Sequence, residues 1–280
     1  MAGRIIGGIG SSHVPSIGVA YDQGRTQEPD WKPLFDAYGP VRDWLAAQKP
    51  DIAIVIYNDH GGDFFFDKYP TFAVGAADRY GIADEGWGPR PLPEPEGDAA
   101  FSWHLCESLV YDEFDIAVCQ EMKVEHGFLV PMHLCFPHDP AWPVKVVPVA
   151  VNVIQHPLPT ARRCWKLGQA IRRAVESFPG DSRVVILGTG GMSHQLNGAR
   201  FGHINPDWDN DFLDRLESDP DSLTDLTHQQ IMEEAGAEAV ELIMWLTMRG
   251  AVSKRATRIH RNYYAPMTTG MGLIAFEEPA

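Results

Sequence analysis

Four histidines follow closely on apolar runs of strand length. His13 comes after Ile5–Ile9 in GGIGSSHVP, and His60 after Ile52–Tyr57 in YNDHGG. His126 comes after a run around Asp115–Cys119 in KVEHGFLVP, and His194 after Val184–Leu187 in GTGGMSH. Imidazole can carry protons near neutral pH and, when neutral, can ligate a metal. In open α/β sheets ligands collect beyond the carboxyl ends of the strands, so four histidines so placed are expected to meet in one cleft. Gly7, Gly8 and Gly10 are expected to allow unusual dihedrals before His13, and Pro15 to stop a helix from running back through it. His104, His138, His156, His203, His228 and His260 read as surface or hydrogen-bonded structural residues, and His133, in PMHLCF, as packing.

Glu241 is the matching carboxylate. It sits in AEAVELIMWL, flanked by Val240, Leu242 and Ile243. If buried it needs a cation or a full set of hydrogen bonds. If exposed, it shares a helix face with Glu234 and Glu238; spacing leaves both readings open. Two histidines and one carboxylate are the donor set of non-haem iron(II) enzymes, which leave positions open for substrate and dioxygen. A hydrolytic zinc site could use the same residue types. The chain has no H-E-x-x-H, Ser193 is not in G-x-S-x-G, and GGIGSS lacks both the full dinucleotide fingerprint and a P-loop lysine.

The elements that must position these residues alternate along the chain. Further strand-like runs span Thr71–Val74, Val144–Val151 and about Met271–Phe276. Several are apolar on both alternations, as for strands covered on both faces. Helical patterns start at Phe35, Ala100, Pro159 and Gly236, the last being the most apolar. The expected fold is α/β: a layered mixed-sheet core flanked by helices, in a single domain over residues 1–280. Residues 76–99 form a long acidic loop rich in proline and glycine. Loops of that length are usually functional; this one, with Trp87, is expected to be either a partner surface or a self-packed lid.

The formal charge of −15 argues against nucleic-acid binding. It also requires any anionic substrate to meet a locally positive site, from a metal or a few arginines. No apolar run approaches membrane-spanning length and the first residues do not read as a signal peptide, so a cytoplasmic protein without a membrane segment is expected. Cys106, Cys119, Cys135 and Cys164 form no C-x-x-C pair and read as buried free thiols.

GGIGSSHVPSIG, IYNDHGG, ADEGWGPRPLP, DEFD, GTGGMSHQLNG and VELIMWLTMRGA occur in one order from residue 4 almost to the end. Together they resemble the extradiol ring-cleaving dioxygenases of the class that includes the protocatechuate 4,5- and gallate enzymes. The resemblance implies that His13, His60 and Glu241 bind Fe(II), that His194 is the acid/base residue, and that His126 is a second active-site histidine. It implies that Asn58 lies beside the iron facing the substrate, and that Thr268 and Thr269 lie near the substrate carboxylate. The activity implied is dioxygen-dependent meta cleavage of a catecholic carboxylate. Protocatechuate, giving 4-carboxy-2-hydroxymuconate semialdehyde, is the first expectation, and gallate or 3-O-methylgallate the alternative. A zinc hydrolase and a non-catalytic ligand-binding relative are more distant readings. Because such enzymes pair this region with a small helical subunit or carry a similar region fused to it, a small partner subunit or a homo-oligomer is expected.

Overall fold

The computed structural model describes residues 2–279. The strands are β1 (Arg4–Ser11), β2 (Ile52–Tyr57), β3 (Phe72–Gly75), β4 (Gly81–Ile82), β5 (Ala117–Cys119), β6 (Lys123–Val124), β7 (Lys145–Val151), β8 (Arg183–Thr189), β9 (Thr257–Tyr264) and β10 (Met271–Glu277). The helices are α1 (Pro15–Asp22), α2 (Lys32–Ala37), α3 (Gly39–Gln48), α4 (Ala99–Tyr111), α5 (His126–Cys135), α6 (Ala161–Ser177), α7 (Pro206–Ser218), α8 (His228–Ala235) and α9 (Ile243–Ala251). Eight strands form one sheet in the order β5-β3-β7-β2-β8-β1-β10-β9, while β4 and β6 pair separately. The central strands β7, β2, β8 and β1 run parallel, and β10 and β9 extend the sheet antiparallel. The mixed α/β sheet expected from the sequence is what the chain forms.

The doubly apolar strands have the expected cause. In β2, Ile52, Ile54 and Ile56 enter one core, while Ala53, Val55 and Tyr57 enter the other. The first core is closed by α4, α6 and α9, the second by α1, α2, α3 and α5. Each fully buried Val, Ile or Leu contributes about 1.5–3 kcal/mol relative to exposure, so a charge introduced into β2 would unseat one core or the other.

Several local expectations need correction. Gly7, Gly8 and Gly10 lie in regular β1, and none has a positive φ. They are small because α3 and α9 press on the strand: a Cβ at Gly7 would meet the Trp44 ring, at Gly8 Met248, and at Gly10 the Trp245 ring. The helix expected from Phe35 is two, and the one expected from Gly236 is a 3-10 turn, Ala237–Leu242, followed by α9. The sequence reading missed α1, α5, α7, α8 and β9. Polar β9, half-buried at the sheet edge, lacks the apolar alternation that marks a strand. His126 follows edge strand β5 of the main sheet only after two-residue β6, which pairs outside that sheet, and it opens α5. The four cysteines are free, with Cys119 partly exposed rather than buried. Among the described residues no helix is long and apolar enough to cross a membrane.

The long loop packs on its own chain. Asp84 accepts hydrogen bonds from the amides of Gly86 and Gly88, and Arg90 pairs with Asp22 at 2.7 Å. Trp142 Nε1 donates to the Pro93 carbonyl. Trp87 remains exposed.

Candidate active site

The parallel strands deliver three of the four histidines to one end of the sheet. His13 lies two residues beyond β1, His60 three beyond β2, and His194 five beyond β8, which runs between them. Glu241 arrives from the opposite direction, in the 3-10 turn before α9, and is 5% exposed. The exposed-face reading of Glu241 is therefore wrong. Gly190 has φ of +134°, which brings the backbone after β8 against Glu241. The next amide, Gly191 N–H, donates to Glu241 Oε2 at 2.6 Å.

Around Glu241 the geometry converges. His13 Nε2 lies 3.2 Å from its Oε2 and His60 Nε2 3.4 Å from its Oε1. One ligand atom from each of the three residues falls within 4.8 Å of the others. The other ring nitrogens are occupied: His13 Nδ1 is 3.0 Å from Thr189 Oγ1, and His60 Nδ1 is 3.0 Å from Glu125 Oε2. This is how ligating imidazoles are commonly held, with the outward nitrogen hydrogen-bonded and the inward one free. His13 Nε2 has no hydrogen-bond partner although it is buried. Two imidazole nitrogens and a carboxylate facing a common space suit a divalent metal with open positions, which would bind both rings in their neutral form. His60, Glu125 and His126 form a second cluster. It is the poorer candidate, because Glu125 is fully buried and both its oxygens are engaged, Oε1 by the Gly127 amide at 2.8 Å and Oε2 by the two histidines.

Burial and charge oppose each other here. Burial holds the His13 pKa below its ordinary value despite Glu241. Burial would also lower His60, but Glu125 and Glu241 outweigh it and raise His60 well above the usual histidine range. Burial would raise both carboxylates, but the surrounding histidines hold Glu125 and Glu241 well below the ordinary glutamate value.

His194 is set by its backbone. Its Nδ1 lies 2.7 Å from the Met192 carbonyl, which can only accept, so Nδ1 carries the proton and Nε2 is left free to take one. Nε2 is 4.0 Å from Glu241 Oε2. Buried Asp209 fixes this turn: it accepts from the Ser193 amide at 2.8 Å, from Ser193 Oγ at 2.6 Å and from Tyr263 OH at 2.8 Å. His126 stacks on His60, with ring centroids 4.1 Å apart. Its Nδ1 sits between Glu125, at 2.6 Å, and Glu85 from the long loop.

A cavity of about 710 Å³ opens on this cluster. His13, His60, His126, His194, Glu241, Thr268 and Thr269 line it, with apolar walls that include Val14, Val153, Leu158 and Val240. Thr269 pairs with His194 through a backbone bridge. Asn58 lies beside the candidate ligand atoms. It is fully buried, its Nδ2 lies 3.0 Å from His60 Nε2 and 3.4 Å from Glu241 Oε1, and it touches the candidate ligands rather than the cavity wall. Among the described residues no lysine or arginine lines the cavity, which leaves a metal as the expected source of positive charge for an anion. The sequence reading missed Glu125, Glu85, Thr189, Asp209 and the cavity-lining His156. Glu125 carried a usable signal, a charge between Val124 and the apolar run after His126; the others are brought in by tertiary packing alone.

Residues 7–275 match the family described as the catalytic LigB subunit of aromatic ring-opening dioxygenase. The chain is 48% identical over 196 residues to gallate dioxygenase of Pseudomonas putida, covering 70% of this chain and 58% of that protein. The chain thus spans less than two thirds of that relative. It is 30% identical over 304 residues to a 2,3-dihydroxyphenylpropionate/2,3-dihydroxicinnamic acid 1,2-dioxygenase of Pseudomonas putida, covering 91% of this chain and 92% of that one. Its fold is also similar to the crystal structure of an uncharacterized Escherichia coli K12 protein, with TM-score 0.55 and 12% identity over 98% of this chain and all of the other. With a family match across almost its whole length, this chain belongs to the family of catalytic LigB subunits of aromatic ring-opening dioxygenases.

Proposed function

We propose that the chain is an Fe(II)-dependent extradiol dioxygenase that opens the ring of a gallate-like catecholic carboxylate. The observation that carries this reading is the meeting of His13 Nε2, His60 Nε2 and Glu241 at the floor of one apolar-walled cavity, with the free Nε2 of His194 beside them. Similarity to gallate dioxygenase favours a trihydroxylated ring over protocatechuate, which stays as a second substrate, along with 3-O-methylgallate.

In this reading His13, His60 and Glu241 hold the iron. When bound, it would acidify the substrate hydroxyls and bring dioxygen and ring together. His194 Nε2 takes the hydroxyl proton and later returns it, a role open to it because Nδ1 is committed to the Met192 carbonyl. His126, held by Glu125 and Glu85, contributes a rigid polar edge at which developing charge on the substrate is stabilised. Asn58 Nδ2 sits beside the ligand atoms of His60 and Glu241 and steadies Glu241 by donating to its Oε1. Thr268 and Thr269 offer hydroxyls to the substrate carboxylate, in place of the absent cationic side chains. The apolar walls exclude bulk water from the reacting ring. A small helical subunit or a second copy of the chain is the expected cover for the cavity mouth.

The test is anaerobic reconstitution with Fe(II), followed by oxygen uptake on adding gallate, protocatechuate or 3-O-methylgallate. Uptake that requires Fe(II) and is fastest with gallate supports the reading. Turnover that proceeds without dioxygen on a zinc-loaded protein would replace it with a hydrolase.

A further inference from the structure

Among the described residues that line the cavity, two carry a buried side-chain atom without a hydrogen-bond partner: His13, at Nε2, and Ser16, at Oγ. The first is accounted for by the metal. The second is accounted for by nothing else in the chain. A buried hydroxyl without a partner is costly, so its presence beside a binding cavity points to a partner on the ligand.

Ser16 enters the cavity wall just after the candidate ligand His13. It is the second residue of α1, three positions beyond His13, and α1 packs on α5, whose first residue is His126. Its hydroxyl is not used to cap α1, which has no side-chain cap. Thr268 and Thr269 belong to a different part of the wall, joined to His194 through the Thr269 backbone bridge.

The chemistry of the substrate then divides these groups. Two adjacent ring hydroxyls face the metal ligands. In a 3,4,5-trihydroxybenzoate the third hydroxyl adjoins that pair, whereas the carboxylate lies para to the middle one of the three hydroxyls. A group on the His13 side of the wall, where Ser16 follows in the chain, can therefore meet the third hydroxyl, and the threonines on the His194 side the carboxylate. A serine hydroxyl both donates and accepts, so it can pair with a ring hydroxyl in either protonation state.

We propose that Ser16 Oγ is the hydrogen-bond partner of the third ring hydroxyl, and so sets the preference for trihydroxylated over dihydroxylated substrate. This rests on the functional reading above.

The experiment compares wild type, Ser16→Ala, Ser16→Cys and Ser16→Thr as Fe(II)-loaded full-length chains. It reads kcat/KM for gallate and protocatechuate, and anaerobic binding of gallate by calorimetry. In Ser16→Ala the gallate-to-protocatechuate ratio of kcat/KM is expected to fall about tenfold, the size of one lost hydrogen bond to a substrate hydroxyl. Gallate affinity is expected to weaken in parallel. Ser16→Cys, close in volume but a poor hydrogen-bonder, should behave like Ser16→Ala, and Ser16→Thr should restore the ratio. A ratio that stays at the wild-type value in Ser16→Ala, or follows side-chain volume instead of the hydroxyl, overturns the assignment. Wild-type turnover of neither substrate overturns the functional reading itself, and this assignment with it.

Discussion

A ligating imidazole usually has its outward nitrogen held, and His13 and His60 combine that condition with an inward nitrogen beside one shared carboxylate. Their Nδ1 atoms are taken by Thr189 and Glu125, leaving both Nε2 atoms turned toward Glu241. Glu241→Ala is expected to lose both bound iron and turnover, read by metal analysis and oxygen uptake; full iron occupancy in that variant would remove Glu241 from the ligand set. His194→Ala is expected to keep its iron and lose about 10²- to 10⁴-fold in kcat, the span usual for a positioned acid/base. Loss of iron in that variant would make His194 a ligand instead. Glu125→Gln is expected to weaken Fe(II) binding about 10- to 100-fold, as for other partners of ligating histidines. At this scale the sequence was informative where local context was unusual. His13, His60 and His194 follow apolar strands, and a carboxylate sits inside VELIMWL. It was silent on Thr189, Asp209 and Glu85, whose roles arise from contacts between segments far apart in the chain.

Elements decide how firmly those residues are held. The parallel strands and the most apolar helix were legible because burial on both faces leaves a continuous apolar run. Strand β9 and the split of the Gly236 helix were not, since edge pairing and the demands of Glu241 override the local pattern. The loop of residues 76–99 could be read as a partner surface or a self-packed lid, but not for the residues it meets. In the fold it is a strap, carrying Glu85 to His126 and Arg90 to Asp22 and His133. Burial first, and then Arg90 and His138, hold the His133 pKa well below 6.5. His133 is thus neutral when folded, whereas the unfolded chain takes up a proton below about pH 6.5. Its contribution is fully present above that pH and is lost as the pH falls toward the folded pKa. Thermal melts of wild type and His133→Asn between about pH 7 and 5 are therefore expected to diverge in slope, with the variant shallower. Parallel curves would show that His133 does not titrate differently in the two states.

The molecule as a whole carries a net charge of −15, yet is proposed to admit an anionic substrate through a cavity wall without lysine or arginine. Attraction is then confined to the histidines and the proposed metal, and the long-range field opposes approach. Raising ionic strength from about 20 to about 200 mM should therefore increase kcat/KM for gallate, by about twofold, as salt screens that repulsion. A decrease would reveal a steering patch outside the cavity. Net charge was legible from composition alone; the absence of cations around the cavity was not, because it depends on which side chains the fold brings together. The most direct test of the central claim is a single turnover of the Fe(II)-loaded chain with gallate under isotopically labelled dioxygen. Both labelled atoms should appear in one ring-opened product, with one dioxygen consumed per ring opened. A ring-opened product containing oxygen from water alone, or formed without dioxygen uptake, would contradict extradiol cleavage at the His13, His60 and Glu241 centre.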